Sequence, residues 1–194
     1  MEGFGYILAS ASPRRKELLK KILKDFEVIP SDAEETIPSG ISPVDVAIEN
    51  ALRKAVDVSD KYPDAIVIGA DTIVILDEII MGKPKDLKEA TIMLESLSGK
   101  THQVITGVAV AYAAFDVQIT DFGFTDVTFK KLDSAIIEEY VNKRKPLDMA
   151  GAYGIQEIQD MFVESVEYDF NNVVGLPLNV TAKLLELIIQ RTWG

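Results

Sequence analysis

The chain has 194 residues, of which 47% are hydrophobic and 26% charged, a composition typical of a globular protein and unlike that of a disordered one. Its lack of cysteine and its single histidine, His102, exclude disulfides, a cysteine nucleophile and thiolate or multi-histidine metal sites. The formal net charge of −11 argues against general nucleic-acid binding, because neutralisation of phosphates dominates that affinity.

The first half of the chain alternates strand and helix patterns. We expect a strand over residues 4–9, a helix over 13–24, a short strand over 27–30, a polar loop over 31–42 and a helix from 42 to about 56. Ser12 and Ser42 each precede a proline and should cap the two helices. Lys54 lies off the apolar stripe of the second helix, so we expect it on the solvent side.

The second half of the chain carries strand patterns that favour a mixed sheet. An apolar run over 65–76, a strand over 79–81, a tight turn at 82–84 and a helix over 86–97 precede two or three strands within 101–130. A helix from Asp133, a loop over 142–161, a strand over 162–166 and a last helix ending near 190 follow. No Pro-, Gly- or Ser-rich linker separates domains, so we expect one α/β or α+β domain over 1–194.

The start of the first helix breaks a local rule. Arg14, Arg15 and Lys16 occupy its first turn, where the partial positive charge of a helix N-terminus favours acidic residues. A phosphate held by backbone amides, the preceding serine hydroxyls (Ser12 among them) and the guanidinium groups would explain the three cations. The alternative is that these side chains point into water, as we expect for the lysines later in this helix.

Asp71 is the second anomaly, because it interrupts an apolar run and aspartate is rarely buried without a partner. Its carboxylate could act as a general base on water or bind a hard cation such as Mg²⁺. The alternative is a turn at a strand end, with the carboxylate bonded to backbone amides.

Two further residues are weaker candidates. Glu35, in the polar loop, is a candidate ligand only if a metal site needs a second carboxylate. Lys83 could reach a phosphate, although a lysine in a turn is usually solvated.

The sequence lacks the features of export and of membrane insertion. The N-terminus has no basic segment followed by an apolar run, so we expect no signal peptide. No apolar stretch reaches the roughly 18 residues that a membrane span needs. We therefore expect a cytoplasmic enzyme or binding protein without a nucleic-acid or membrane partner.

Seven ordered segments make the sequence similar to a known family. They are Leu8-Ala9-Ser10-Ala11-Ser12-Pro13-Arg14-Arg15 with Lys54-Ala55, Gly69-Ala70-Asp71-Thr72, Gly82-Lys83-Pro84, Ser98-Gly99-Lys100-Thr101-His102-Gln103-Val104, Gly151-Ala152-Tyr153-Gly154-Ile155-Gln156 and Asn172-Val173-Val174-Gly175-Leu176-Pro177. The chain resembles the Maf family of nucleotide pyrophosphatases over nearly its whole length. The resemblance implies a Maf/inosine-triphosphatase-like α/β fold, with a mixed sheet, flanking helices and two lobes around a cleft.

The resemblance also implies an activity and roles for particular residues. Family members hydrolyse a nucleoside triphosphate to the monophosphate and pyrophosphate with a divalent metal, Mg²⁺ or Mn²⁺. By resemblance, Asp71 is the base that activates water and binds the metal together with Glu35. The phosphates would be bound by Ser12, Arg15, Lys54 and Lys83. A homodimer is suggested by the resemblance alone.

The motifs resemble those of the branch that hydrolyses dTTP and UTP, including modified pyrimidine nucleotides, as a house-cleaning activity. Arg14, Thr72 and Gln156 are then the residues expected to select the base, and the Gln156 amide offers both a donor and an acceptor. Two departures, Met149 for a lysine and Glu157 for a glycine, put the substrate preference in question. The alternatives are action on purine or 7-methyl-GTP-type nucleotides, or a non-catalytic nucleotide-binding regulator of cell division.

Overall fold

The structure is a computed structural model that describes residues 5–193. Its strands are β1 (Gly5–Leu8), β2 (Glu27–Val28), β3 (Ala65–Leu76), β4 (Ile79–Met81), β5 (Thr101–Tyr112), β6 (Val117–Phe129) and β7 (Val163–Tyr168). Its α-helices are α1 (Pro13–Leu19), α2 (Pro43–Ser59), α3 (Leu87–Leu97), α4 (Ser134–Arg144), α5 (Ile155–Phe162), α6 (Phe170–Val174) and α7 (Leu178–Trp193). Two short 3₁₀ helices span Ala113–Phe115 and Ala150–Ala152.

The strands form one mixed sheet in the order β2-β1-β3-β5-β6-β7, with β4 paired to β3. β1 runs parallel to β2 and β3, whereas β4 is antiparallel to β3 and β7 is antiparallel to β6. The predicted α/β class with a mixed sheet and flanking helices is therefore confirmed. Among residues 5–193, no helix has the length and hydropathy that crossing a bilayer requires.

Local chemistry explains where several helices begin. The Ser12 hydroxyl accepts from the Arg15 amide, the Ser42 hydroxyl accepts from the Asp45 amide, and the Asp86 carboxylate accepts from the Glu89 amide. These contacts satisfy amides that have no partner within the first turn. The three helix starts predicted at these residues are confirmed.

Several predicted bounds are wrong. The first strand ends at Leu8 rather than at Ala9, and its predicted start at Phe4 lies outside the described residues. α1 ends at Leu19 rather than near residue 24, because the Lys21 and Ile22 amides bond to carbonyls three residues back, those of Leu18 and Leu19, as in a turn. Residues 82–84 are irregular rather than a tight turn, and the Gly82 carbonyl accepts from the Gly151 amide.

The largest error in the predicted elements concerns the loop over 142–161. α4 extends to Arg144, and α5 occupies most of the second half of that segment. The buried side chains of α5, Ile155, Ile158 and Phe162, recur at helical spacing. The short helix α6, which precedes α7, was also not predicted.

The contacts divide the chain into two compact units. The first comprises the chain up to Asp71, residues 106–123 and the chain from Gly175 onwards. The second comprises residues 72–105 and 124–174.

In the first unit, α2 lies very close to the sheet because small residues face each other. One buried apolar cluster joins α2 to the strands. It contains Ala51, Ala55 and Val58 of α2, Val67 of β3 and Ala109 of β5, together with Ile7, Ala9, Ala65 and Ala111. A Cβ atom added at Gly69 would overlap the Ala51 carbonyl oxygen, and one added at Gly107 would overlap that of Ala47. The two glycines therefore fix the depth at which α2 sits on β3 and β5.

Replacing Gly107 with alanine is expected to lower the free energy of unfolding by about 2–3 kcal/mol, because the added methyl group must push the α2 backbone off the sheet. The Cβ would lie 2.6 Å from the Ile48 amide nitrogen, which is backbone and cannot rotate away. Urea unfolding monitored by circular dichroism measures the change. Gly5→Ala is the matched control, since nothing lies within 4 Å of its Cβ position. Equal stability of both variants would contradict the close approach of α2.

An aromatic cluster forms part of the core of the second unit. The His102 ring packs edge-on against Phe129 and Tyr153, and its Nε2 atom lies 2.7 Å from the Tyr153 hydroxyl. Phe162 packs edge-on against Phe129 and Tyr140. The Nδ1 atom of His102 is buried without a hydrogen-bond partner among the described residues. Burial lowers the pKa of His102 from 6.5 to about 4 and raises the pKa of Tyr153. His102 is therefore a core residue of the second unit, packed among aromatic rings.

The lowered pKa of His102 predicts a loss of stability in mild acid. Between pH 6.5 and about pH 4 the imidazole of His102 is protonated in the unfolded state and neutral in the folded state. The free energy of unfolding is therefore unaffected by this group above pH 6.5 and falls as the pH drops from 6.5 to about 4. We expect His102 to contribute a loss of about 2–3 kcal/mol between about pH 7.5 and pH 4.5. Urea unfolding at both pH values should show this component in the wild type and not in His102→Gln. Equal pH dependence of the two proteins would refute the assignment.

Candidate active site

Asp71 lies inside β3, which continues without a break through Gly69, Ala70 and Thr72. The strand-end turn considered from the sequence is therefore wrong. The Asp71 side chain is buried, and its two oxygens have different partners. Oδ1 accepts from Lys54 Nζ at 2.6 Å, and Oδ2 accepts from Asn50 Nδ2 at 3.2 Å. Both partners come from α2, and together they satisfy a carboxylate whose burial alone would be costly.

Lys54 joins two carboxylates. Its Nζ atom lies 2.6 Å from Asp71 Oδ1 and 2.7 Å from Glu35 Oε1, and 3.5 Å from the Ala70 carbonyl oxygen. Lys54 is only 8% exposed, so its predicted place on the solvent side of the helix is wrong. Glu35 belongs to the predicted loop and is more accessible. One ammonium group thus brings the buried Asp71 and the accessible Glu35 to the same point.

Asn50 is a residue of this site that the sequence analysis missed. Its side chain is 2% exposed. Its Oδ1 atom accepts from the Thr36 amide at 3.0 Å, and its Nδ2 atom donates to the Thr36 carbonyl at 3.0 Å and to Asp71. A signal existed in the spacing of Asn50 and Lys54, since residues four positions apart share one face of a helix.

Arg15 lies at the start of α1 and is anchored to a distant segment. Its Nε atom donates to the Gly175 carbonyl at 2.9 Å, and its Nη1 atom donates to the Ser10 hydroxyl at 3.4 Å. Burial lowers the pKa of Arg15, while the negative charges of Asp71 and Glu35 act in the opposite direction. The guanidinium is therefore within electrostatic range of both carboxylates.

The first unit also holds Ser12 and Arg14 among the predicted site residues. Both are half-buried, and the Ser12 hydroxyl already accepts from the Arg15 amide as a helix cap. The first turn of α1 contains no acidic residue. The anion site predicted from the sequence at this helix start stays a prediction.

Three predicted site residues belong to the second unit. Thr72 is half-buried in β3, Lys83 is exposed in the irregular segment after β4, and Gln156 is exposed in the first turn of α5. Their predicted roles stay predictions.

The two departures from the family pattern are accommodated within the second unit. Met149 is buried, with its Sδ atom packed beside Gly154. Glu157 forms an ion pair with Arg144, and this contact raises the pKa of Arg144. The carboxylate added at position 157 is therefore balanced by a neighbouring cation rather than left as an isolated negative charge.

The carboxylates of Asp71 and Glu35 suit a hard cation. Both offer oxygen ligands, and the Lys54 ammonium occupies the point at which Asp71 Oδ1 and Glu35 Oε1 converge. Within the described part of the chain, no group of three or more His, Cys, Asp or Glu side chains could hold a metal. This donor set fits Mg²⁺, which binds proteins through one or two carboxylates and completes its shell with substrate phosphates and water.

Comparison with known proteins gives one family and several relatives. A family model described as Maf-like protein matches residues 5–188. A protein of Alkaliphilus oremlandii is 51% identical and one of Bacillus cytotoxicus is 48% identical, each over 173 residues that cover 89% of this chain and 90% of the relative. Both relatives are named dTTP/UTP pyrophosphatase. The structure of the Staphylococcus aureus Ham1 protein aligns with 64% of this chain and 71% of its own, with a TM-score of 0.44 and 17% identity.

Proposed function

Because the chain belongs to the Maf family, we propose that it is a nucleoside triphosphate pyrophosphatase that hydrolyses dTTP and UTP to the monophosphate and pyrophosphate. Relatives of that name share about half of its residues over 89% of its length. The observation that carries the proposal is the buried Asp71 carboxylate, held by Lys54 beside Glu35 and within electrostatic range of Arg15. This arrangement combines a base, two cations and two oxygen ligands.

The proposed reaction is attack of water on the α-phosphorus. Asp71 accepts a proton from the water, the new P–O bond forms, and the bond between the α-phosphorus and the bridging oxygen breaks to release pyrophosphate. A divalent cation, Mg²⁺ or Mn²⁺, held by Glu35 and Asp71 would supply further neutralisation of the phosphate oxygens. Arg15 stabilises the developing negative charge from a position fixed by its bond to Gly175.

Lys54 must exchange partners to bind phosphate. Its ammonium has three N–H donors, and its contacts in this structure go to Glu35, Asp71 and the Ala70 carbonyl. Of these, the contact with Ala70 is the longest, at 3.5 Å, and is the first that a phosphate oxygen would replace. Lys54 can then keep the carboxylates together while it neutralises the substrate.

The remaining roles are proposed from the family resemblance. Ser12 and Lys83 complete the phosphate contacts, and Arg14, Thr72 and Gln156 select the base. The two compact units act as one Maf-like domain, and the protein works in the cytoplasm as a house-cleaning enzyme, on modified pyrimidine nucleotides as well, and as a homodimer.

A product analysis with a panel of nucleotides tests this function. The purified protein is incubated with dTTP, UTP, CTP, GTP, ITP and 7-methyl-GTP in the presence of Mg²⁺ or Mn²⁺, and the products are separated by ion-exchange chromatography. We expect dTMP and UMP with equimolar pyrophosphate, formed faster than the other monophosphates. Release of orthophosphate and a diphosphate would show that another bond is broken. Preference for 7-methyl-GTP or a purine nucleotide would reassign the substrate.

A further inference from the structure

We propose that Asn50 is a positioning residue of this site, whose buried amide fixes the loop that carries Glu35 relative to the carboxylate of Asp71. The inference rests on the proposed function, because Glu35 and Asp71 are the carboxylates assigned there to water activation and metal binding. Asn50 touches neither substrate nor metal in this account. It acts through the two groups that it holds.

The three hydrogen bonds of the Asn50 side chain fit a single orientation of its amide group. Oδ1 accepts from the Thr36 amide, and Nδ2 donates both to the Thr36 carbonyl and to Asp71 Oδ2, at 3.0, 3.0 and 3.2 Å. Rotating the amide by half a turn would face its NH₂ group with the Thr36 amide and its oxygen with the Asp71 carboxylate. The network therefore selects one orientation of the side chain.

The loop needs such support because residues 31–42 contain no helix or strand of their own. Thr36 follows Glu35 directly, so fixing both backbone groups of Thr36 also limits where Glu35 can place its side chain. Lys54 then holds the Glu35 carboxylate itself at 2.7 Å. The close seating of α2 on β3, which Gly69 allows, brings Asn50 within reach of Asp71.

Asp57 anchors the same loop without joining it to Asp71. Its Oδ2 atom accepts from the Ser31 hydroxyl at 2.7 Å and from the Asp32 amide at 3.0 Å, and its Oδ1 atom pairs with Lys61. Asp57 lies seven residues after Asn50 on α2, on the same face of the helix. Substituting Asp57 therefore loosens the loop and leaves the Asn50–Asp71 bond in place, which makes it the matched control.

The test compares Asn50→Leu, Asn50→Asp and Asp57→Ala with the wild type by two measurements. The first is steady-state hydrolysis of dTTP, and the second is the affinity for Mn²⁺ alone by electron paramagnetic resonance. We expect both Asn50 variants to lower kcat by about 10- to 100-fold and Asn50→Leu to weaken Mn²⁺ binding about tenfold, since residues that orient metal ligands have effects of this size. KM for dTTP should change less than about threefold, and Asp57→Ala should change kcat less than about threefold.

Circular dichroism and thermal unfolding identify the variants that fold, and Asn50→Asp keeps the shape of the side chain should Asn50→Leu be unstable. Folded Asn50 variants that retain wild-type kcat and Mn²⁺ affinity would overturn the inference, as would equal losses in Asp57→Ala or absence of Mn²⁺ binding by the wild type. A wild type that releases no pyrophosphate would refute the proposed function instead. The Mn²⁺ measurement would then still decide the role of Asn50.

Discussion

Replacing Asp71 with asparagine is expected to lower kcat for dTTP hydrolysis by about 10³- to 10⁴-fold, the range attributed to a positioned general base. Asparagine keeps the volume of the side chain and can still accept from Lys54, so the fold should survive. Asparagine cannot take the proton of the attacking water, and its amide oxygen would bind the proposed divalent cation more weakly than the Asp71 carboxylate does. Pyrophosphate release measured by a coupled assay, on protein shown to be folded by circular dichroism, gives the result.

Asp77→Asn is the matched control for this substitution. Asp77 follows β3 directly, its carboxylate is largely exposed, and it pairs with Lys100. Its φ of +49° is one that asparagine tolerates well, so the backbone should not change. Activity should be retained in Asp77→Asn and lost in Asp71→Asn. An Asp71→Asn protein that is folded and retains most of its activity would remove Asp71 from the chemistry.

Replacing Lys54 with methionine should produce the second largest loss, about 10²- to 10³-fold in kcat/KM for dTTP. Methionine fills a similar volume but removes the cation that lies between the Asp71 and Glu35 carboxylates. The two negative groups would then repel each other, and the substrate phosphates would lose a positive partner. We expect a lower kcat and a higher KM together, because the site loses both its geometry and its charge.

Lys61→Met is the control for Lys54→Met because it removes a lysine that lies just past the end of α2 and pairs with a carboxylate of that helix. Lys61 is half-exposed and pairs with Asp57 at 2.9 Å, and such surface ion pairs contribute little to the stability of a protein. Steady-state kinetics on both variants separate a specific role of Lys54 from a general effect of charge. Similar kinetics for Lys54→Met and Lys61→Met would count against the role assigned to Lys54.

Those parts of the fold that depend on local chemistry could be predicted from the sequence. Ser12, Ser42 and Asp86 cap helices through bonds to residues three positions ahead, so the signal is complete within one turn. Asp71 could be singled out for a similar reason, since one charged residue in an apolar run is visible without any knowledge of its partners. The buried position of its carboxylate and the cationic start of α1 near it agree with that interpretation.

Other parts depend on contacts between distant segments and could not be predicted in this way. Lys54 and Asn50 look like surface residues in a hydropathy pattern, because the pattern does not show that α2 must also hold a polar loop and a buried carboxylate. The start of α5 was missed because Gly154 provides no side-chain cap and the helix is only eight residues long. Pairing of Glu157 with Arg144 likewise joins residues thirteen positions apart.

Hydrolysis of dTTP in ¹⁸O-labelled water tests most directly the claim that Asp71 activates water for attack on the α-phosphorus. Mass spectrometry of the products should find one labelled oxygen in dTMP and none in pyrophosphate, because the new bond forms at the α-phosphorus. The label should enter neither product at an appreciable rate in folded Asp71→Asn. Label in pyrophosphate would place the attack on the β-phosphorus and would contradict the proposed mechanism.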